Sequence, residues 1–117
     1  MTFEQFDAAA RALPGTTFDV KWGKDRVYSV GDKMYAVAGQ LGEEAPRWCM
    51  KVSDGSFEQL CEEGVAEPAP YMAKHKWVLF RSADAVPEEQ LTAYLREAHA
   101  LIAAKLSGKK RAELGIG

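Results

Sequence analysis

Two cysteines and two histidines in 117 residues leave little material for a disulfide framework or a clustered metal site. Cys49 and Cys61 lack zinc-ligand spacing, and each falls in an apolar run, where a free cysteine usually acts as a small buried hydrophobe. His75 and His99 stand too far apart for a helical or short-loop ligand pair. No stretch approaches the ~18 consecutive apolar residues of a membrane-spanning helix. The opening Met1-Thr2-Phe3-Glu4 is not a basic-then-apolar leader, so a soluble, cytoplasmic protein with no membrane partner is expected. Nucleophile–base motifs, phosphate-cradling glycine loops and metal-ligand pairs are also missing, so neither enzymatic activity nor a cofactor is expected.

What is present fits one globular domain over residues 1–117, expected as a monomer. Hydrophobic residues make up 47% and charged residues 27%, and this length can bury one core. The net charge is −2, so the molecule as a whole does not attract nucleic acid. The charge is unevenly spread: residues 1–40 sum to 0, residues 41–70 to −5 and residues 71–117 to +3. A basic last third beside an acidic middle gives either one positive face or a mixed, solvated surface.

Thr2 and Gln5 have capping-box spacing, and Phe3, Phe6, Ala10 and Leu13 recur at helical intervals, predicting a helix from Thr2 to Leu13. Pro14-Gly15 ends it. The period then drops to two. Thr16 to Trp22 reads as a half-buried strand with Phe18, Val20 and Trp22 on one side, followed by a Gly23-Lys24-Asp25 turn. Arg26 to Val30 and Lys33 to Ala38 are two more strands, joined by Gly31-Asp32 as a primed-turn hairpin. Gly39 to Pro46 is a polar loop, and Arg47 to Val52 a fourth strand. Ser53 to Ser56 offers cap oxygens for a short helix ending at Gly64. Glu67-Pro68-Ala69-Pro70 reads as an extended connection, Lys76 to Arg81 as a fifth strand, and Pro87 to Ser107-Gly108 as a long helix. Residues 109–117 read as a loose basic tail with at most one helical turn. The order is α-β-β-β-β-α-β-α: an α+β two-layer sandwich with an antiparallel sheet and both terminal helices on one face. Its expected core includes Phe6, Leu13, Phe18, Trp48, Leu79, Leu95 and Ile102.

Several landmarks occur in order: Leu13-Pro14-Gly15-Thr16, Lys21-Trp22-Gly23, Gly31-Asp32-Lys33-Met34 and Cys49-Met50-Lys51-Val52. They continue with Pro70-Tyr71-Met72-Ala73-Lys74-His75-Lys76-Trp77-Val78 and the final helix. In this arrangement the chain resembles the MmcQ/YjbR family along almost its whole length. The resemblance implies a CyaY-like (frataxin-like) fold and DNA binding through a double-wing arrangement, an implication that transfers fold better than function. Some members carry histidine directly before the motif tryptophan. Here Lys76 holds that place and His75 lies one earlier, so a role tied to that histidine does not carry over.

The candidate nucleic-acid-binding residues are Lys74, His75 and Lys76, with Lys109, Lys110 and Arg111 in the tail and Lys21 and Lys24 at the first strand turn. Lysines offer mobile donors to phosphates, and an exposed Tyr71 or Trp77 would stack on an unpaired base. The plainer reading buries Trp77 and leaves the charges in water. Lys105 is explained locally by the dipole of a helix end. Glu58 and Glu62 share a helical face, but surface acid is commoner than a metal site. A second functional reading is a small-ligand or protein-binding module using the concave sheet face with Trp22, Tyr28, Tyr35 and Trp48.

Overall fold

The computed structural model describes residues 1–21, 25–39, 46–70 and 72–116. The chain forms α1 (Phe3–Arg11), β1 (Thr16–Lys21), β2 (Asp25–Val30), β3 (Lys33–Gly39), β4 (Arg47–Lys51) and α2 (Asp54–Glu62). Then come β5 (Ala66–Pro68), a 3₁₀ turn (Ala73–His75), β6 (Trp77–Phe80), α3 (Glu88–Ala103) and α4 (Gly108–Glu113). The strands make one six-stranded sheet in the order β1-β2-β3-β4-β6-β5, every neighbouring pair antiparallel. This is the expected α+β class, with helices α1 and α3 on the sheet.

Local chemistry sets the elements. Thr2 and Gln5 form the capping box, each side chain bonding the other's backbone N–H. Gly31 and Asp32 both take positive φ, 57° and 65°, as a primed two-residue hairpin turn requires. Gly31 also admits Leu106, since a Cβ there would lie 2.7 Å from both Leu106 methyls. Between Tyr28 and Ser29 the register slips, leaving Tyr35 as an extra residue in β3. The bulge lets Tyr35 and Ala36 both join the main core.

That core gathers Phe6 and Ala10 of α1, Leu91, Leu95, Ala98 and Ile102 of α3, and Tyr28, Trp48, Met50, Val78 and Phe80 of the sheet. Phe6 stacks on Trp48 with ring centres 4.3 Å apart, and Trp48 Nε1–H donates to Ala83 O at 3.0 Å. A smaller cluster of Val27, Val37, Ala69 and Trp77 packs apart from it, with Met34, Cys49 and Met72 at its margin.

Four sequence expectations are corrected. Phe18 is 42% exposed, because β1 is a terminal strand and runs out from under the helices. Leu79 pairs with Cys49, outside the main core, and is only partly buried. Glu67-Pro68 is not a bare connection: Ala66–Pro68 pairs with β6 as the other terminal strand, where a proline lacking its N–H is tolerated. The long helix ends at Ala103, and the tail is not loose. Ser107 caps α4 by accepting from Lys110 N at 3.1 Å, and Leu114 packs on Gly15. The Gly23-Lys24 part of the first turn and loop residues 40–45 lie outside the described residues.

Candidate nucleic-acid interface

The strand register sorts the charged residues between two ends of the sheet. The β2–β3 turn defines one end, where Thr16 pairs with Val30 and Val30 with Lys33. Lys51 and Trp77 pair at this same end of the neighbouring strands. The C-terminus of α3 arrives here too, since Leu106 packs on Gly31, and α4 follows with Leu114 against Gly15. This hairpin end therefore collects Lys33, Lys51, Lys74, His75, Lys76, Lys105, Lys109, Lys110 and Arg111. Asp32, Asp54 and Glu113 lie among them.

Lys74 and His75 are exposed on the 3₁₀ turn, while Lys76 closes it in the left-handed region at φ 61°. A lysine in that conformation costs about 1–2 kcal/mol, and its neighbours hold it there. Lys76 N donates to Ala73 O at 2.9 Å, Val52 N donates to Lys76 O at 2.9 Å, and the Lys51 ammonium donates to His75 O. The Lys76 ammonium stands 4.8 Å from the centre of the Phe57 ring. Lys51 has its pKa lowered, first by partial burial and then by the neighbouring charges of Lys105 and Lys76, against an opposing pull from Asp54. Lys51, Lys76 and Lys105 thus form one positive cluster. Sequence reasoning missed Lys51, because only strand pairing shows that β4 ends beside the β6 entrance.

In α4, Lys109 is exposed, whereas Lys110 and Arg111 are half-buried. Arg111 lines a shallow groove together with Ala103, Ala104 and Ile116. Lys21 does not join this group. It ends β1 opposite Asp25, on the far terminal strand and at the other end of the sheet. Lys24, Tyr71 and Trp22 lie outside the described residues. Trp77 is 3% exposed, so it is not available to stack on a base.

The two ends also differ in how cations are partnered. The described ion pairs use Arg11 and Arg26 with Asp7, Arg47 and Arg81 with Glu67, and the terminal amine with Asp84. Among the described residues, no cation of the hairpin end is in an ion pair. Much of the acidic middle segment points elsewhere: Glu67 faces Arg47 and Arg81, and Glu62 and Glu63 close α2 at the opposite end. Glu43 and Glu44 lie outside the described residues.

The remaining candidate chemistry is sparse. No group of three or more His, Cys, Asp or Glu among the described residues is placed to hold a metal ion. Burial pushes the Cys49 thiol up to about 12, with Asp25 adding to the shift, so it is a poor nucleophile at neutral pH. His99 is buried and donates from Nε2 to Pro14 O at 2.7 Å, a structural bond tying α3 to the α1–β1 turn. Tyr28, Tyr35 and Trp48 lie in the core beneath the helices, which corrects their assignment to an open sheet face. No helix is long and apolar enough to cross a membrane among the described residues.

Fold and site together define a small α+β domain with a cationic sheet end. The sequence matches the YjbR family model over residues 11–101, and the chain belongs to the YjbR family. Its structure is similar to the crystal structure of Deinococcus radiodurans protein DR2400, of domain family DUF419, with a TM-score of 0.86. That match has 24% identity and covers 99% of this chain and 89% of the other. A Pseudomonas syringae protein solved by a structural genomics consortium matches with a TM-score of 0.68 and 19% identity, over 87% of this chain and 99% of that one. At these identities the likeness speaks for the fold. No curated protein matches the chain.

Proposed function

We propose that this protein binds nucleic acid through the hairpin end, contacting phosphates weakly and with little sequence preference, without chemistry on the bound strand. One observation carries the reading: the cations of this end are gathered from five separate segments and none is in a described ion pair, while Arg11, Arg26, Arg47 and Arg81 elsewhere are paired. Unpaired lysines suit a polyanion, because each can neutralise a phosphate without first breaking an internal salt bridge. Lys74, Lys76 and Lys109 are the primary contacts in this reading, with Lys51 and Lys105 reinforcing the local potential. At this end Phe57 is half-buried beside the Lys76 ammonium and Trp77 is buried, so sequence discrimination is expected to be slight.

Titration of the full-length protein with a short DNA duplex at low and moderate salt tests the reading. Nonspecific dissociation constants of about 10⁻⁴–10⁻⁶ M are expected, with log K falling by roughly 0.9 per neutralised phosphate for each decade of salt. Absence of binding at low salt, or binding indifferent to salt, removes the proposal. The ligand-module reading loses Tyr28, Tyr35 and Trp48, which are buried in the core. What the described residues leave is a groove of about 470 Å³ lined by Thr17, Phe18, Asp19, Lys21, Val27, Ser29 and Asp32.

A further inference from the structure

Lys51 ends β4 directly opposite Trp77, the first residue of β6, and the next residue, Val52, donates its N–H to Lys76 O at 2.9 Å. The backbones of Lys51 and Lys76 are therefore fixed side by side. The Lys51 side chain is half-buried, and its ammonium donates to His75 O on the 3₁₀ turn. The Lys76 ammonium rests 4.8 Å from the centre of the Phe57 ring. Lys105 comes from just beyond α3, in a turn closed by Lys105 N to Ile102 O and Leu106 N to Ala103 O, both at 3.0 Å. Among the described residues none of these three lysines is in an ion pair. Partial burial, then the like charges of Lys105 and Lys76, disfavour the ammonium form of Lys51 more than Asp54 favours it. Lysine attacks an acyl group only as the neutral amine, which a solvent-exposed lysine presents about one time in a thousand at neutral pH. Desolvation and an adjacent cation are the two devices that raise that fraction. The same cations attract an anionic donor towards the amine.

We propose that Lys51 is a modification site, acylated in preference to the exposed lysines by small acyl phosphates that Lys76 and Lys105 draw in. The Lys51 Nζ attacks the acyl carbon. An N–C bond forms, the C–O bond to phosphate breaks with its electron pair going to the phosphate oxygen, and the surplus Nζ proton passes to water. The neighbouring ammonium groups stabilise the charge that grows on the departing phosphate. The product amide keeps one N–H for His75 O, so the 3₁₀ turn is retained while one positive charge of the hairpin end is lost. A clamp on the 3₁₀ turn alone would make the opposite prediction, since a half-buried, hydrogen-bonded amine then reacts more slowly than the exposed Lys74 and Lys109. The proposal is separate from nucleic-acid binding, because its readout is the rate of acylation at each lysine.

Treating the full chain with acetyl phosphate at about pH 8, and following each lysine by peptide mass spectrometry over time, ranks the amines by rate. Lys51 should be acetylated about three- to tenfold faster than Lys74 and Lys109. Lys76→Gln/Lys105→Gln should bring Lys51 down to the rate of Lys74 or below it. Lys105→Gln alone, at an exposed position, should remove part of the advantage, and thermal melts confirm that each variant is folded. With an uncharged acetyl ester in place of acetyl phosphate the advantage should shrink, because attraction of the donor is lost. A Lys51 no faster than Lys74 and Lys109 overturns the proposal and leaves only the clamp. A fast Lys51 indifferent to both variants, or equally favoured by the uncharged ester, overturns the part given to Lys76 and Lys105.

Discussion

The two ends of the sheet are built on different principles. At the hairpin end, packing and buried hydrogen bonds do the holding: Leu106 fills the space above Gly31, His99 bonds Pro14 O, and Tyr35 donates to Ala10 O at 3.1 Å while accepting from Thr16 at 3.0 Å. At the other end, much of the holding is left to surface charge, as in the terminal amine with Asp84 and Arg81 with Glu67. Exposed ion pairs of that kind contribute at most about 1 kcal/mol. The hairpin end thus has a packed frame and unspent cations, whereas at the opposite end Arg47, Arg81 and the terminal amine are spent in ion pairs and, among the described cations there, only Lys21 is not. Rigid support under free charges is what a phosphate-contacting surface needs.

The sharpest way to break this comparison is to damage each frame in turn. Gly31→Ala forces a side chain into a positive-φ position and against Leu106, and should destabilise by about 2–4 kcal/mol. Glu67→Ala at the other end removes only half-exposed partners of Arg47 and Arg81, and should cost less than about 1 kcal/mol. Denaturant midpoints measure both, and equal losses would dissolve the distinction.

Alkaline pH gives the next largest effect. Burial raises Cys49 from 9.0 and Tyr35 from 10.0, each to about 12. In the unfolded chain both release their protons near their ordinary values, while the folded protein retains them. The folded state then binds more protons, so the stability these groups add is intact below pH 9 and is lost as pH rises towards 12. At about pH 10.5 these two groups together should remove roughly 2–3 kcal/mol relative to neutral pH, and Tyr28, also raised by burial and by Asp7, adds to the loss. Cys49→Ala should flatten the part that begins first, near pH 9.

A smaller effect separates strain from charge at the proposed contact. Lys76→Gly relieves the left-handed backbone but loses the contact with Phe57, so its net effect on stability should stay within about 1 kcal/mol. Binding to DNA should nevertheless weaken, because the ammonium is gone. A large stability loss would mean that Lys76 is mainly structural.

Much of the fold was legible because local chemistry declares it: the Thr2–Gln5 cap, the Gly31-Asp32 turn, and the α3 stripe of Leu95, Ala98 and Ile102, all buried. Phe18 shows where such reading stops. Alternation assigns a side chain to a face, but only strand order reveals whether anything covers that face. Pro68 misled for a related reason, since proline argues against a central strand and not against a terminal one. Lys74 and Lys76 were found because they adjoin in sequence, and the tail cations share their end of the sheet. Lys51 was hidden in a strand whose neighbour, β6, begins 26 residues later. Lys21 looked equivalent in sequence and is placed at the opposite corner.

That opposition supplies the most direct measurement of the central claim. Lys74→Glu/Lys76→Glu and Lys21→Glu should be titrated beside the wild type with one DNA duplex across a range of salt. The double reversal should weaken binding to all sequences alike and make the salt dependence less steep by about 1.8, the share of two phosphate contacts. Lys21→Glu should leave the slope unchanged. Equal losses from both ends, or a double reversal with the wild-type slope, would contradict a phosphate-binding hairpin end.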